Sequence, residues 1–149
     1  MAMAIRTDAE LDRELIDALR ERGHRVTVPR LLVHRHVRRT PSHVTAEQVA
    51  SDLAADLPSL SPATIYATLD LLEALGFVRR VSTQRGTAVF DSRQDAHHHL
   101  VCRRCGAIQD IDAEIDTTRA RRAARRAGFR VEDAELQLSG LCSTCAAAG

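Results

Sequence analysis

Ser61-Pro-Ala-Thr-Ile-Tyr-Ala-Thr-Leu-Asp-Leu-Leu-Glu-Ala-Leu-Gly-Phe-Val78 holds a helix start, an inward face and a stop in one run. The Ser61 side chain can accept an orphan backbone N–H, and Pro62 suits the first helical position, where no N–H is needed. Ile65, Leu69, Leu72 and Leu75 recur at helical spacing, and Gly76 ends the helix. Ala63, Thr64, Tyr66 and Ala67 are left off that apolar face. Beyond the stop, Phe77 to Ser82, a polar turn at Thr83, Gln84, Arg85 and Gly86, and then Thr87 to Phe90 read as a β-hairpin. A helix followed at once by a hairpin is the pattern of a recognition helix and its wing.

The upstream chain supplies the remaining helices. Leu11, Leu15, Ile16 and Leu19 mark a first helix from Asp8 to Arg22, closed by Gly23. Thr27 is placed to cap a second through about Arg38, with Pro29 in its first turn and Leu32, Val33 and Val37 facing inward. Thr45-Ala-Glu-Gln48 is a capping box, and the third helix that it opens carries Val49, Leu53 and Leu57 before Pro58. Residues 1–90 are therefore expected to form a winged helix-turn-helix. Asp91 to Ala96 is polar and lacks periodicity, as a hinge would be. In residues 97–149, Leu100-Val101, Ala107 to Ile111 and Phe129 to Leu138 read as strands, with a helix from about Ala113 to Ala127. The expected fold class is α+β: an N-terminal winged helix-turn-helix domain plus a small C-terminal α/β domain. That second domain is too small to be very stable alone and needs a staple or a partner subunit.

Composition bounds the function. The 149 residues are 44% hydrophobic and 28% charged, with 7 Gly and 4 Pro, the profile of a folded chain. No apolar run approaches the roughly 20 residues of a bilayer span, and the first thirty residues are too rich in Asp, Glu and Arg for a secretory signal. A cytoplasmic protein with no membrane partner is expected, and there the four cysteines would remain thiols. Tyr66, Phe77, Phe90 and Phe129 are too few aromatics for a base-stacking platform. All 21 basic residues are arginines, a compositional bias, but their distribution is informative. Arg20, Arg22, Arg25, Arg30, Arg35, Arg38 and Arg39 stand against the single acid Glu21, forming a basic patch that suits double-stranded DNA. Arg119, Arg121, Arg122, Arg125 and Arg126 are read as a solvated helix face.

Two clusters carry chemistry. Cys102-x-x-Cys105 and Cys142-x-x-Cys145 can each place two sulfurs on one ion, and four thiolates favour a closed, tetrahedral, structural Zn²⁺ site. Two disulfides, unrelated buried thiols or a redox Cys-x-x-Cys are the alternatives at this point. The second cluster is His97-His98-His99 with Asp91 upstream and Asp110 downstream. In an extended segment His97 and His99 share a face and His98 points away. Imidazole and carboxylate together suit Fe²⁺, Mn²⁺ or Zn²⁺, whereas solvated polar side chains in a loop are the plainer reading. No His-Glu-x-x-His or activated-serine constellation supports a hydrolase. If zinc occupies both cysteine pairs, a Cys-x-x-Cys oxidoreductase is disfavoured as well.

Gly-His-Arg-Val-Thr before the second helix, His43-Val-Thr-Ala-Glu, Ser61-Pro-Ala-Thr-Ile-Tyr66, Leu-Gly-Phe-Val at the wing and His-His-His-Leu-Val-Cys-Arg-Arg-Cys-Gly together resemble the ferric uptake regulator family over nearly the whole chain. The resemblance implies a cytosolic homodimer with a C-terminal dimerisation domain, whose metal-loaded form represses transcription by gripping a palindromic operator. Its peroxide-responsive branch has a regulatory site of three histidines and two aspartates, matched here by His43, Asp91, His97, His99 and Asp110. The shorter Asp110, where the iron-sensing branch has glutamate, implies a regulatory Fe²⁺ or Mn²⁺ site open to peroxide, with Zn²⁺ able to occupy it in purified protein. His43 and His97 become the implied oxidation targets, and no small-molecule substrate beyond peroxide is implied. The alternative is an iron-, manganese- or zinc-responsive repressor of uptake genes. On the DNA, Tyr66 and Thr64 are placed at bases, Arg25 in a minor groove, and Arg30 and Arg80 on phosphates. Relatives often build a third metal site with a histidine shortly before the last cysteine pair, and Val131 to Leu141 contains none.

Overall fold

The computed structural model describes residues 6–40, 43–81 and 86–149; the expected turn at Thr83, Gln84 and Arg85 lies outside them. The chain divides into two compact units between Gln94 and Asp95.

The first unit runs α1 (Asp8–Glu21), α2 (Val28–Arg39), β1 (Val44–Thr45), α3 (Ala46–Asp52), α4 (Pro62–Ala74), β2 (Arg79–Val81) and β3 (Val89–Asp91). Local chemistry sets the helix starts. Thr7 and Glu10 form a capping box on α1, Thr45 and Gln48 another on α3, and the Ser61 hydroxyl accepts the Thr64 N–H on α4. Thr27 holds the cap position of α2 without a side-chain cap bond; Pro29 in the first turn pre-sets that helix instead. Leu15, Leu19, Val33, Val37, Val49, Ile65, Leu69, Leu72 and Phe90 meet in one apolar core. The arginines at the C-terminal end of α2 are not a uniformly solvated face. Arg35 Nε donates to Asp12 Oδ1 at 2.6 Å and Arg39 pairs with Asp8, which clamps α2 to α1. Arg38 donates to the Ser92 carbonyl at 3.0 Å, and Gln94 Nε2 to that of Phe77 at 3.2 Å, so the segment after β3 is tied back to this unit.

Two expectations are corrected here. The third helix ends at Asp52, and Leu57 keeps its inward place through a single turn closed by its N–H on the Leu53 carbonyl at 2.8 Å. A short strand, β1, precedes α3 and turns the hairpin into a three-stranded antiparallel sheet of order β1-β3-β2.

The second unit runs β4 (His98–Cys102), β5 (Ile108–Ile111), α5 (Thr118–Arg126), β6 (Gln137–Gly140) and α6 (Ser143–Ala147). Its sheet has the order β5-β4-β6, with β4 antiparallel to β5 and parallel to β6. The parallel pair needs a crossover, and α5 lies in that connection. The strand expected over Phe129 to Leu138 is confined to Gln137–Gly140, because only those residues face β4; Phe129 is 70% exposed. The helix expected from Ala113 begins at Thr118, whose N–H is taken by Asp116 Oδ1 at 2.9 Å. Among the described residues no helix is long and apolar enough to cross a membrane.

Candidate metal centres and nucleic-acid face

The sulfur cluster lies wholly in the second unit. Cys102 ends β4, and the chain then folds into a knuckle: Cys102 N–H donates to the Ala107 carbonyl at 2.8 Å and Gly106 N–H to the Cys102 carbonyl at 2.9 Å. Gly106 takes φ +78°, which a residue with a Cβ rarely adopts, so the glycine is what lets the knuckle close. Cys142 and Cys145 flank the start of α6. The four sulfurs all lie within 4.8 Å of one another, and Cys105 and Cys142 are 3.8 Å apart. A tetrahedron with metal–sulfur bonds of about 2.3 Å has edges of about 3.8 Å, so the donor set fits Zn²⁺. A disulfide needs sulfurs about 2.05 Å apart, and all four residues are thiols.

Acidity follows the same geometry. Backbone N–H groups of Cys105 and Cys142 aimed at its sulfur pull the Cys102 thiol down to about 5. Hydrogen bonding to Cys142, then burial and the neighbouring sulfurs, push Cys145 up to about 12. A divalent ion favours the thiolate form of the sulfurs that it gathers.

The imidazole cluster begins at the other end of β4. His99 pairs directly across the ladder with Asp110 on β5, and His97, two residues earlier, shares its face. His97 Nδ1 donates to the Asp95 carbonyl at 2.8 Å, and His99 Nδ1 to Glu135 Oε1 at 2.6 Å. A carbonyl and a carboxylate only accept, so in the neutral ring Nδ1 carries the proton and Nε2 is left as the atom that can donate to an ion. Those two nitrogens stand 3.1 Å apart, with Asp110 Oδ1 at 3.8 Å from His97 Nε2 and 3.6 Å from His99 Nε2. Both Nε2 atoms are positioned to donate to one cation. The spacing is what two nitrogens take on one ion at metal–nitrogen lengths of about 2.1 Å. Both rings are buried. His98 stays outside this set: its Nδ1 accepts the Leu136 N–H at 3.1 Å.

The first unit contributes the other two expected ligands through a matching ladder. Val44 pairs with Phe90 and Thr45 with Val89, so one further step of register sets His43 opposite Asp91. Asp91 is buried in the central strand, across from Arg79 on its other side, and its Oδ1 accepts the Arg93 N–H at 2.8 Å. His99 and Asp110 are the corresponding pair of the second unit, on the ladder itself. Glu135 was not legible beforehand, because its role depends on the parallel β4–β6 register.

The candidate nucleic-acid face is the outer side of α4. Ser61, Ala63, Thr64 and Ala67 are exposed there, while Tyr66 is half-buried against the core with its hydroxyl donating to Glu47 Oε1 at 2.8 Å. The Thr64 hydroxyl sits 3.0 Å from that of Ser61. Arg25 is exposed before α2, and Arg30 donates to the Arg25 carbonyl at 2.5 Å. On β2, Arg80 lies over the Phe90 ring at 4.9 Å and pairs with Asp70 at 2.5 Å and Glu73 at 3.2 Å.

A winged-helix unit joined to a small sheet unit bearing a sulfur cluster and an imidazole–carboxylate cluster defines a metal-responsive DNA-binding regulator. Comparison narrows the class. Residues 21–139 match the model of the ferric uptake regulator family, and the chain belongs to that family. It is 39% identical to ferric uptake regulation protein 1 of Mycolicibacterium fortuitum over 119 residues, 79% of this chain and 73% of that one. It is 30% identical to the peroxide-responsive repressor PerR of Staphylococcus aureus over 132 residues, 89% of each. The solved structure of the Helicobacter pylori ferric uptake regulator superposes with a TM-score of 0.79 over 95% of each chain; at 17% identity that likeness is one of fold. Members of the family are transcription regulators, not enzymes, with an N-terminal winged helix and a C-terminal dimerisation domain.

Proposed function

We propose that the protein is a peroxide-sensing repressor, a homodimer that holds a palindromic operator when one regulatory Fe²⁺ or Mn²⁺ is bound by His43, Asp91, His97, His99 and Asp110. The observation that carries the reading is the convergence of the Nε2 atoms of His97 and His99, 3.1 Å apart, beside Asp110. Because the five ligands come from both units, binding them all at once fixes the recognition helices of a dimer at one separation, and half-sites at fixed spacing reward only that separation. About 5.5 kcal/mol of differential affinity takes such a balance from 1:99 to 99:1.

A ferrous ion held by these residues would supply the electron that begins peroxide cleavage. The chain supplies the target: a ring carbon of His43 or His97 would take one peroxide oxygen and give up its hydrogen, so that the imidazole is oxidised by two electrons while the peroxide is reduced to water. An imidazole carrying an added oxygen is a poor ligand, the two units are released from each other and repression lifts. Cys102, Cys105, Cys142 and Cys145 hold a structural Zn²⁺ that stays in place throughout. On the operator, Tyr66 and Thr64 approach bases, Arg25 enters a minor groove, and Arg30 and Arg80 hold phosphates once Arg80 exchanges its acidic partners for them.

A second reading is favoured by the relative in Mycolicibacterium fortuitum, whose name is ferric uptake regulation protein 1: an iron-, manganese- or zinc-responsive repressor of uptake genes. Operator binding with Fe²⁺, Mn²⁺ and Zn²⁺ in turn, each with and without peroxide, separates the two. The peroxide reading expects release of the Fe²⁺ form alone, with a single oxygen added to the peptide of His43 or His97. Release without that mass gain, or equal resistance of every metal form, contradicts it.

A further inference from the structure

Glu135 stands in the segment before β6 where the chain offers no histidine, and its Oε1 lies 2.6 Å from His99 Nδ1. The backbone holds it there. Leu136, next in the chain, is pinned at both polar groups: its carbonyl accepts the His99 N–H at 3.0 Å and its N–H donates to His98 Nδ1 at 3.1 Å. The three adjacent histidines therefore have three tasks. His97 and His99 turn their Nε2 atoms inward, and His98 fixes the stretch that carries the carboxylate.

We propose that Glu135 is a positioning residue of the regulatory site: its carboxylate keeps His99 in the Nδ1–H form and so aims the Nε2 lone pair at the ion. An imidazole hydrogen-bonded through its remote nitrogen to a carboxylate is locked in orientation and is a stronger donor at the other nitrogen. The contact belongs to the second unit alone. It rests on the assignment of His99 as a regulatory ligand.

Removing such an outer partner costs about 10–100-fold in metal affinity. Glu135 is 36% exposed, so water can partly replace it and the lower end of that range applies. The test uses the full-length protein with its zinc in place and no second metal. Long-range ¹H–¹⁵N imidazole spectra are expected to show His99 as the Nδ1–H form in the wild type and a shift toward the Nε2–H form in Glu135→Ala. Mn²⁺ affinity is expected to fall about 10-fold in Glu135→Ala. It should fall less in Glu135→Gln, whose amide oxygen still accepts from Nδ1. An unchanged tautomer or an unchanged Mn²⁺ affinity in Glu135→Ala overturns the proposal. His99→Ala is the separate control: if it binds Mn²⁺ as the wild type does, the regulatory-site reading itself has failed.

Discussion

The two units are held together by different chemistry. The first buries Leu15, Leu19, Val33, Ile65, Leu69, Leu72 and Phe90 in one hydrocarbon core. Among the described residues of the second, the buried side chains are Val101, Cys102, Cys145, His97 and His99. A sheet of three short strands with one buried aliphatic side chain cannot offset the entropy of ordering its chain. On the proposed function, its fold rests on zinc at the sulfur cluster and on a dimer partner that covers exposed apolar side chains such as Leu138 and Leu141. The proposed function thus divides the labour between a reader with a hydrocarbon core of its own and an assembly unit held by what it binds.

Removing zinc should break the comparison most visibly. Structural zinc contributes on the order of 10 kcal/mol or more to small domains. Cys142→Ser is therefore expected to lose the ion and unfold the second unit while the first keeps its helices. Zinc stoichiometry alongside residue-resolved amide exchange checks this, and a second unit still protected without zinc would refute it.

A smaller effect, confined to the first unit, comes from His34. The ring is fully buried edge-on to Phe77, with centroids 4.8 Å apart, and Glu14 is 3.9 Å from its Nε2. Burial, with Arg38 and Arg6 nearby, lowers its pKa to about 4 from an ordinary 6.5. The unfolded chain takes up this proton below about 6.5 and the folded one only near 4, so acid favours unfolding between those values. At about 1.36 kcal/mol per unit, the loss is on the order of 3 kcal/mol. His34→Leu should flatten the stability of the first unit between pH 6.5 and 4. Below that range Asp12 adds its own loss: Arg35 holds its carboxyl under the ordinary value, and this stabilisation disappears as the pH falls through the folded pKa. An unchanged slope in His34→Leu, measured by denaturant titration at several pH values, would contradict the assignment.

Within the second unit, His99→Ala should abolish regulatory-metal binding, with a loss greater than the roughly 10–100-fold expected for an outer partner, while zinc stays at one per chain. Calorimetry with Mn²⁺ reads both. The finest test is Asp110→Glu. The longer carboxylate should keep metal-dependent operator binding and slow release by peroxide several-fold; unchanged peroxide kinetics would remove Asp110 from the explanation.

Features written in local chemistry were legible in the chain itself. Thr45 with Gln48, Ser61 with Pro62, and Gly76 announce helix ends because caps act within four residues. The two Cys-x-x-Cys knuckles announced the sulfur cluster for the same reason. Long-range register was hidden. Residues 129–136 alternate like a strand, but the ladder with β4 takes up only Gln137–Gly140. That same register places Leu136, and with it Glu135, beside His99, so the carboxylate partner could not be read from spacing. The register that sets His43 opposite Asp91 was hidden likewise, because β1 is two residues long and has no periodicity to detect.

The direct measurement is operator affinity of the zinc-bound dimer with and without a regulatory metal, in one buffer at one ionic strength. The account predicts tight binding to both half-sites with Mn²⁺ and only weak, strongly salt-sensitive binding without it. Equal affinity of the two forms would contradict it.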